Sequence, residues 1–294
     1  MTYLVGYSPH KDDGSAIALA CQFARSEADR VHALTVVPRG WETAVAGDTD
    51  RAFQQWAAQE GEASSAAALA LLAQHPDVLG EATWVSGRSV PQAIVEATDR
   101  LAASLVVVGS GENGPHGRVT PTSKTDRLLH SAQVPVAIAP RGYRADGDAR
   151  ITRVTMGFRD DDASWTLLDQ VSSICLRVGA SLRLVTFAVR PQTMVTSAVR
   201  GAELGVFQQW LAQARSGLDE AAAHLRDSGF AADAVTTIVS EGASWAAALA
   251  SVDWASDEVL VVGSSSTHRL AQVFLGSSAA KILRNATVPV VVVP

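Results

Sequence analysis

Residues Gly109 to Pro140 read GSGENGPHGRVTPTSKTDRLLHSAQVPVAIAP, and residues Gly263 to Pro294 read GSSSTHRLAQVFLGSSAAKILRNATVPVVVVP. The two stretches align without a gap at an offset of 154. Gly109, Ser110, Val119, Ser123, Leu129, Ala132, Val134, Pro135, Val136 and Pro140 each meet their own residue type. The same offset lays Phe53-Gln54-Gln55-Trp56 over Phe207-Gln208-Gln209-Trp210. Two separated segments in one register mark a duplication, and the period is far too long for a solenoid. The 294 residues are therefore read as two copies of one domain, 1–143 and 150–294, joined through the polar stretch Arg141–Arg150.

Each copy alternates strand-like and helix-like segments. The first has β-like runs at Tyr3–Tyr7, Val31–Val37, Ala82–Ser86, Leu105–Val108 and Val134–Ala139. Helical patterns fill the gaps at Ser15–Ala28, Asp50–Ala73, Val90–Leu101 and Thr122–Ser131. The second copy repeats the strands near Val154–Phe158, Ser181–Ala188, Val235–Ser240, Glu258–Val262 and Val288–Val293. Apolar strands without alternation are covered on both faces, and β/α alternation calls for a parallel sheet with helices on each side. The expected fold is α/β, with two tandem doubly wound, five-stranded parallel-sheet domains. In such sheets a ligand sits at the carboxyl ends of the strands. That directs attention to Ser8–Gly14 and Gly109–Thr122 in the first copy, and to Arg159–Asp162 and Gly263–Gly276 in the second.

Charge narrows the partners. The first 147 residues carry 12 basic and 16 acidic side chains, the remainder 12 and 14. Neither half has the positive excess that attracts nucleic acid or anionic lipid. The two cysteines, Cys21 and Cys175, cannot build a disulfide framework and suit a reducing compartment. The start has no basic residues followed by a long apolar run, and no uncharged segment approaches the length that spans a bilayer. A soluble, cytoplasmic protein is expected.

The chemistry concentrates in the second copy. Leu260-Val261-Val262-Gly263-Ser264-Ser265-Ser266 leads to Gly276-Ser277-Ser278 at the start of a helical pattern. A glycine at a strand end admits close backbone approach. A helix start offers free amides and a positive dipole end to a phosphate, and serine hydroxyls add hydrogen bonds. The competing reading is an ordinary N-cap by Ser277 or Ser278. Gly109-Ser110-Gly111-Glu112-Asn113-Gly114 is a literal GxGxxG, but Pro115 follows where a dinucleotide fold needs its helix. No P-loop and no Gly-x-Ser-x-Gly elbow occur. Asp12-Asp13 and Asp160-Asp161-Asp162 fit helix capping better than a metal. The histidines, among them His268 beside Arg269, lack metal-ligand spacing. Phe53 and Trp56, like Phe207 and Trp210, share one helix face and are read as packing on the sheet or the other copy, or as a docking face.

The ending Val273-Phe274-Leu275-Gly276-Ser277-Ser278-Ala279 with Val288–Pro294 resembles the universal stress protein family. So do Leu105–Ser110, Gly87–Ala97 and Val134–Pro140. The resemblance implies a flavodoxin-like, adenine nucleotide alpha hydrolase-like sheet. It also implies pairing of the two domains through their last strands, and ATP bound by some members through Gly-x2-Gly-x9-Gly-Ser/Thr. In the second copy Gly263, Gly276 and Ser277 fit that motif, with Ser264 and Ser278 beside them and Ser266 in place of the second glycine. In the first, Gly109 and Ser123 fit, while Glu112 and Thr122 replace two glycines. The family's nucleoside-contacting Asp is absent; Ser8 or a near neighbour stands in its place in the first copy, and Arg159 in the second. The resemblance thus implies a regulator or sensor holding ATP or a related adenine nucleotide mainly in the second domain. No residue supplies an evident catalytic base or nucleophile, and no metal is expected. The alternative is a nucleotide-independent stress-response scaffold. A homo-oligomer is compatible with either.

Overall fold

Val, Ile, Leu and Ala dominate the strands, and their side chains are covered from both sides. The computed structural model describes residues 1–9, 13–40, 48–190, 197–264 and 275–294. The first half runs β1 (Thr2–Tyr7), α1 (Ser15–Glu27), β2 (Arg30–Pro38), α2 (Asp48–Leu72), β3 (Leu79–Gly87), α3 (Val90–Leu101), β4 (Ala103–Gly109), α4 (Ser123–Ser131) and β5 (Val136–Ala139). The second runs β6 (Arg153–Gly157), α5 (Asp162–Val178), β7 (Ser181–Val189), α6 (Ser197–Asp227), β8 (Val235–Gly242), α7 (Trp245–Ala250), β9 (Glu258–Gly263), α8 (Ser277–Asn285) and β10 (Val290–Val293). Local chemistry sets several boundaries. Asp161 caps α5 through the Ser164 amide, and Gly179, at φ 72°, ends it in the left-handed region that glycine adopts freely.

The strands form one ten-stranded sheet in the order β3-β2-β1-β4-β5-β10-β9-β6-β7-β8. Neighbours within each half are parallel. At the centre β5 and β10 run antiparallel, with Val290 opposite Ile138, Val291 opposite Ala137 and Val292 opposite Val136. Each half therefore has five parallel strands, reversing direction of connection between β1 and β4, and between β6 and β9.

The strand pleat divides the core into two layers. Tyr3, Val5, Met156, Phe158, Leu182 and Leu184 face one way, toward α1, α2, α5 and α6. Leu4, Val106, Ile138, Leu260, Val290 and Val292 face the other, toward α3, α4, α7 and α8. Both layers run through both halves. Each fully buried Leu or Ile stabilises by roughly 1.5–3 kcal/mol. Cys21 and Cys175 lie buried in the first layer, where desolvation pushes each thiol up to about 12.

The stretch Arg141–Arg150 is more than a connector. Gly142 N–H donates to Asp13 Oδ2 at 2.5 Å, and the Tyr143 hydroxyl donates to Gln22. Arg150 donates to the Arg25 carbonyl at 2.6 Å, and Ile151 N–H to Ser26 Oγ at 2.9 Å. Asp13, Gln22 and Ser26 take up backbone groups of the join and of Ile151 after it, and Tyr143 and Arg150 reach back to α1, so the join is fastened along that helix.

Candidate functional site

In the second half β6 ends at Gly157, and the buried Phe158 follows, its carbonyl accepting from Thr186 Oγ1 at 2.7 Å. The chain then turns through Asp160, at φ 56°, into the α5 cap. Asp161 accepts from the Ser164 amide and hydroxyl at 2.8 and 2.7 Å, and from Arg159 at 2.8 Å. Burial works against the Asp161 charge. The hydrogen bonds from Ser164 and the Arg159 guanidinium outweigh it and hold the carboxyl below its ordinary value. The capping reading of the acidic run thus holds for Asp161.

Beside this turn, β9 ends at Gly263, and Ser264 N–H donates to the Val293 carbonyl at 2.7 Å. The chain re-enters the described residues at Leu275, and α8 starts with Gly276 as its cap. Among the described residues no side chain caps it, so none of them supplies its first amides with a side-chain acceptor. These amides face a cavity of about 1130 Å³ at the carboxyl ends of β6, β7 and β9.

Gly263, Ser264, Gly276, Ser277, Ser278 and Arg159 all line this cavity. Ser266, with His268 and Arg269, lies outside the described residues. The remaining wall combines aliphatic Leu167, Val185 and Ile282 and the Asp161 carboxylate with a group of aromatic rings. Phe187 and Trp245 meet at 6.2 Å, Phe207 and Trp210 stack at 6.2 Å and 12°, and Arg190 lies 5.7 Å over Phe207. The Lys281 ammonium lies 5.9 Å from the Trp245 ring centre. Sequence reasoning missed Phe187, Trp245 and Lys281, and read Phe207 and Trp210 as packing or docking residues. One signal was present. Gly242-Ala243-Ser244-Trp245 matches Gly87-Arg88-Ser89-Val90, so the tryptophan opens a helix at a strand's carboxyl end. A cavity with apolar walls, a few hydroxyls, two cations and an open helix start suits a flat ring carrying an anionic group.

The first half is built differently. Gly109 ends β4 and Ser123 opens α4, but neither lines this cavity or the smaller one described below. Thr122 stands where the second half has Gly276, and its hydroxyl accepts from the Thr125 amide at 3.1 Å. The preceding loop spends its amides on the protein itself. Gly111 N–H donates to Thr120 O at 2.8 Å, Thr120 N–H to Ser110 Oγ at 3.0 Å, and Gly117 N–H to Arg141 O at 2.8 Å. A Cβ on Gly114 would sit 2.2 Å from Thr120 Oγ1, so the GxGxxG glycine serves this tight fold. A cavity of about 400 Å³ lies elsewhere, between α1, α2 and the fastened join, lined by Asp13, Ile17, Leu71, His75 and Arg144 among others. Among the described residues no group of three His, Cys, Asp or Glu could hold a metal, and no helix is long and apolar enough to cross a membrane.

Comparison with known proteins bears on the whole chain. The model of the universal stress protein family matches residues 1–140 and again 151–294. A universal stress protein of Mycobacterium tuberculosis H37Rv is 37% identical over 297 aligned residues, covering 100% of both chains. One from Mycobacterium bovis matches equally. Among solved structures, a universal stress protein from Archaeoglobus fulgidus superposes with a TM-score of 0.63 over 99% of this chain and 97% of its own, at 15% identity. A functionally unknown protein from Pseudomonas aeruginosa gives 0.60, over 99% and 91%, at 16% identity. At such identity the structures speak for the fold alone, while the family match and the full-length mycobacterial relatives speak for descent. The chain belongs to the universal stress protein family, as a tandem of two of its domains.

Proposed function

We propose that this protein is a regulator or sensor that binds ATP or a related adenine nucleotide in its second domain, 150–294, without catalysing its turnover. The start of α8 carries the reading: Gly276 brings no capping side chain and lines a large cavity, whereas Thr122 caps the equivalent helix of the first domain, so among the described residues the α8 amides are left uncapped. The phosphates lie against Ser277 and Ser278, with Gly263 and Ser264 admitting the chain of oxygens and Arg159 at the rim. Ser266, which takes the place of the motif's second glycine, is the remaining binding candidate. The base lies among the aromatic side chains. The first domain, 1–143, with its weaker candidates Gly109 and Ser123, is a silent partner, and the β5–β10 seam supports a built-in pair of halves acting as one body. The buried thiols of Cys21 and Cys175 agree with a cytoplasmic setting.

Equilibrium dialysis of nucleotide-free protein with labelled ATP and AMP tests this. One saturable site per chain is expected. Gly276→Thr, which installs the first domain's cap, should weaken it at least about tenfold by supplying the amides with an internal acceptor. Thr122→Gly should leave it unchanged. No saturable binding to the wild-type chain rejects the reading.

A second reading, a nucleotide-independent scaffold for stress-response partners, draws on the first domain's loop. Its amides are committed internally, and Val119 N–H donates to Ala286 O of the second half at 3.0 Å. Mass spectrometry of whatever leaves the freshly purified protein on denaturation separates the two: released adenine nucleotide argues against the scaffold.

A further inference from the structure

Trp245 and Lys281 form a pair that the duplication does not explain. The matching position in the first half holds Val90, and that of Lys281 holds Arg127. Trp245 is half-buried, leaning on Phe187, whereas Lys281 is exposed. Ser277, Ser278 and Lys281 are spaced three and four apart on α8, so they share one face, and all three line the cavity with Trp245. Among the described residues Lys281 makes no ion pair with a carboxylate; its ammonium lies over the indole, 5.9 Å from the ring centre. Long helical side chains lean back toward the helix start, which turns the Lys281 side chain toward the first turn of α8. That end carries a partial positive charge, which disfavours a second cation until an anion arrives. The indole face, with its negative quadrupole, is the resting place that remains.

We propose that Lys281 and Trp245 form a ligand-operated latch: the ammonium rests on the indole in the empty protein and transfers to the anionic group of a ligand seated at the start of α8. The latch rests on the nucleotide reading above and names which part of the ligand is read. Lys281 recognises the phosphate, not the base. The transfer exchanges an exposed cation–π contact for a charge-assisted hydrogen bond, which is the stronger of the two. It also frees the Trp245 face to the cavity, so occupancy is reported on the wall nearest α7.

The test uses the full chain with AMP, ATP and adenosine, reading direct binding by equilibrium dialysis and tryptophan fluorescence in parallel. Lys281→Met should lose about tenfold in affinity for AMP and ATP, and bind adenosine as the wild type does. Lys281→Arg should restore most of the loss. AMP should change the wild-type fluorescence, and Trp245→Phe should remove most of that change, Trp210 on the same wall supplying the remainder. Lys281 is exposed, so unchanged melting of its variants confirms that the fold is intact. Lys281→Met binding AMP as tightly as the wild type, or a fluorescence change undiminished by Trp245→Phe, overturns the latch while leaving the nucleotide reading standing. Failure of the wild-type chain to bind any of the three ligands overturns both.

Discussion

Glu258 has no exposed surface, yet it opens β9 as a charged side chain. It survives there because every oxygen is engaged. Arg153 donates to Oε2 at 2.9 and 2.6 Å, Ala255 N–H donates at 3.0 Å, and Arg183 and the Thr155 hydroxyl donate to Oε1. Arg183 also lies 5.3 Å over the Trp254 ring. Removing one partner of such a cluster leaves buried charge uncompensated, at a cost of about 3–5 kcal/mol. Glu258→Gln should therefore lower the unfolding free energy in urea by about 3 kcal/mol. Nucleotide binding should be unaffected, because Glu258 starts a strand whose opposite end borders the cavity. At the cavity rim the relevant group is Asp161. Its folded pKa is depressed below the ordinary 3.8. Its contribution is thus complete above the unfolded value and is lost as pH falls through the folded one. Stability measured against pH should drop below about pH 4, and Asp161→Asn should flatten that part of the acid limb. An unchanged acid profile in Asp161→Asn would show that the cap carries no linkage.

Helix α2 shows how packing can override helix propensity. By propensity alone, Gly61→Ala in its interior should stabilise by about 1 kcal/mol. A Cβ there would sit 2.2 Å from Trp84 Cδ2, with two more ring atoms at 2.5 and 2.7 Å. The ring lies between α2 and β3, so the overlap wins. Gly61→Ala should destabilise by about 1–3 kcal/mol in thermal or urea unfolding, and Trp84→Leu in the same chain should recover part of the loss. Element positions were largely legible in the sequence. Val90–Leu101 is helical at both predicted ends, and the other ends in the first half fall within three residues. The contrast between α4 and α8 was legible as Thr122 against Gly276. Its consequence was not: a threonine hydroxyl closes one helix start, while a glycine leaves the other open.

At the scale of the molecule, the halves share both core layers and one sheet. Separating them uncovers β10 along Val290–Val293, an apolar strand edge that pairs with β5 in the intact chain. Unpaired edges of this kind recruit another strand. A fragment spanning 151–294 should sediment at micromolar concentration as a dimer or larger species. A stable folded monomer would show that the seam is dispensable. The repeat at an offset of 154, the alternation of β and α and the Pro and Gly boundaries were enough to give two parallel-sheet domains and to point at Gly263, Gly276 and Ser277. They are local or periodic features, and local backbone preference with two-faced burial fixes them. The tertiary structure alone decided that Phe187, Trp245, Phe207 and Trp210 meet around one cavity, that Lys281 rests on an indole, and that the first domain's loop closes on itself and reaches Ala286. Those contacts join residues far apart in the chain, and their geometry depends on how helices settle on the sheet, which no periodicity encodes.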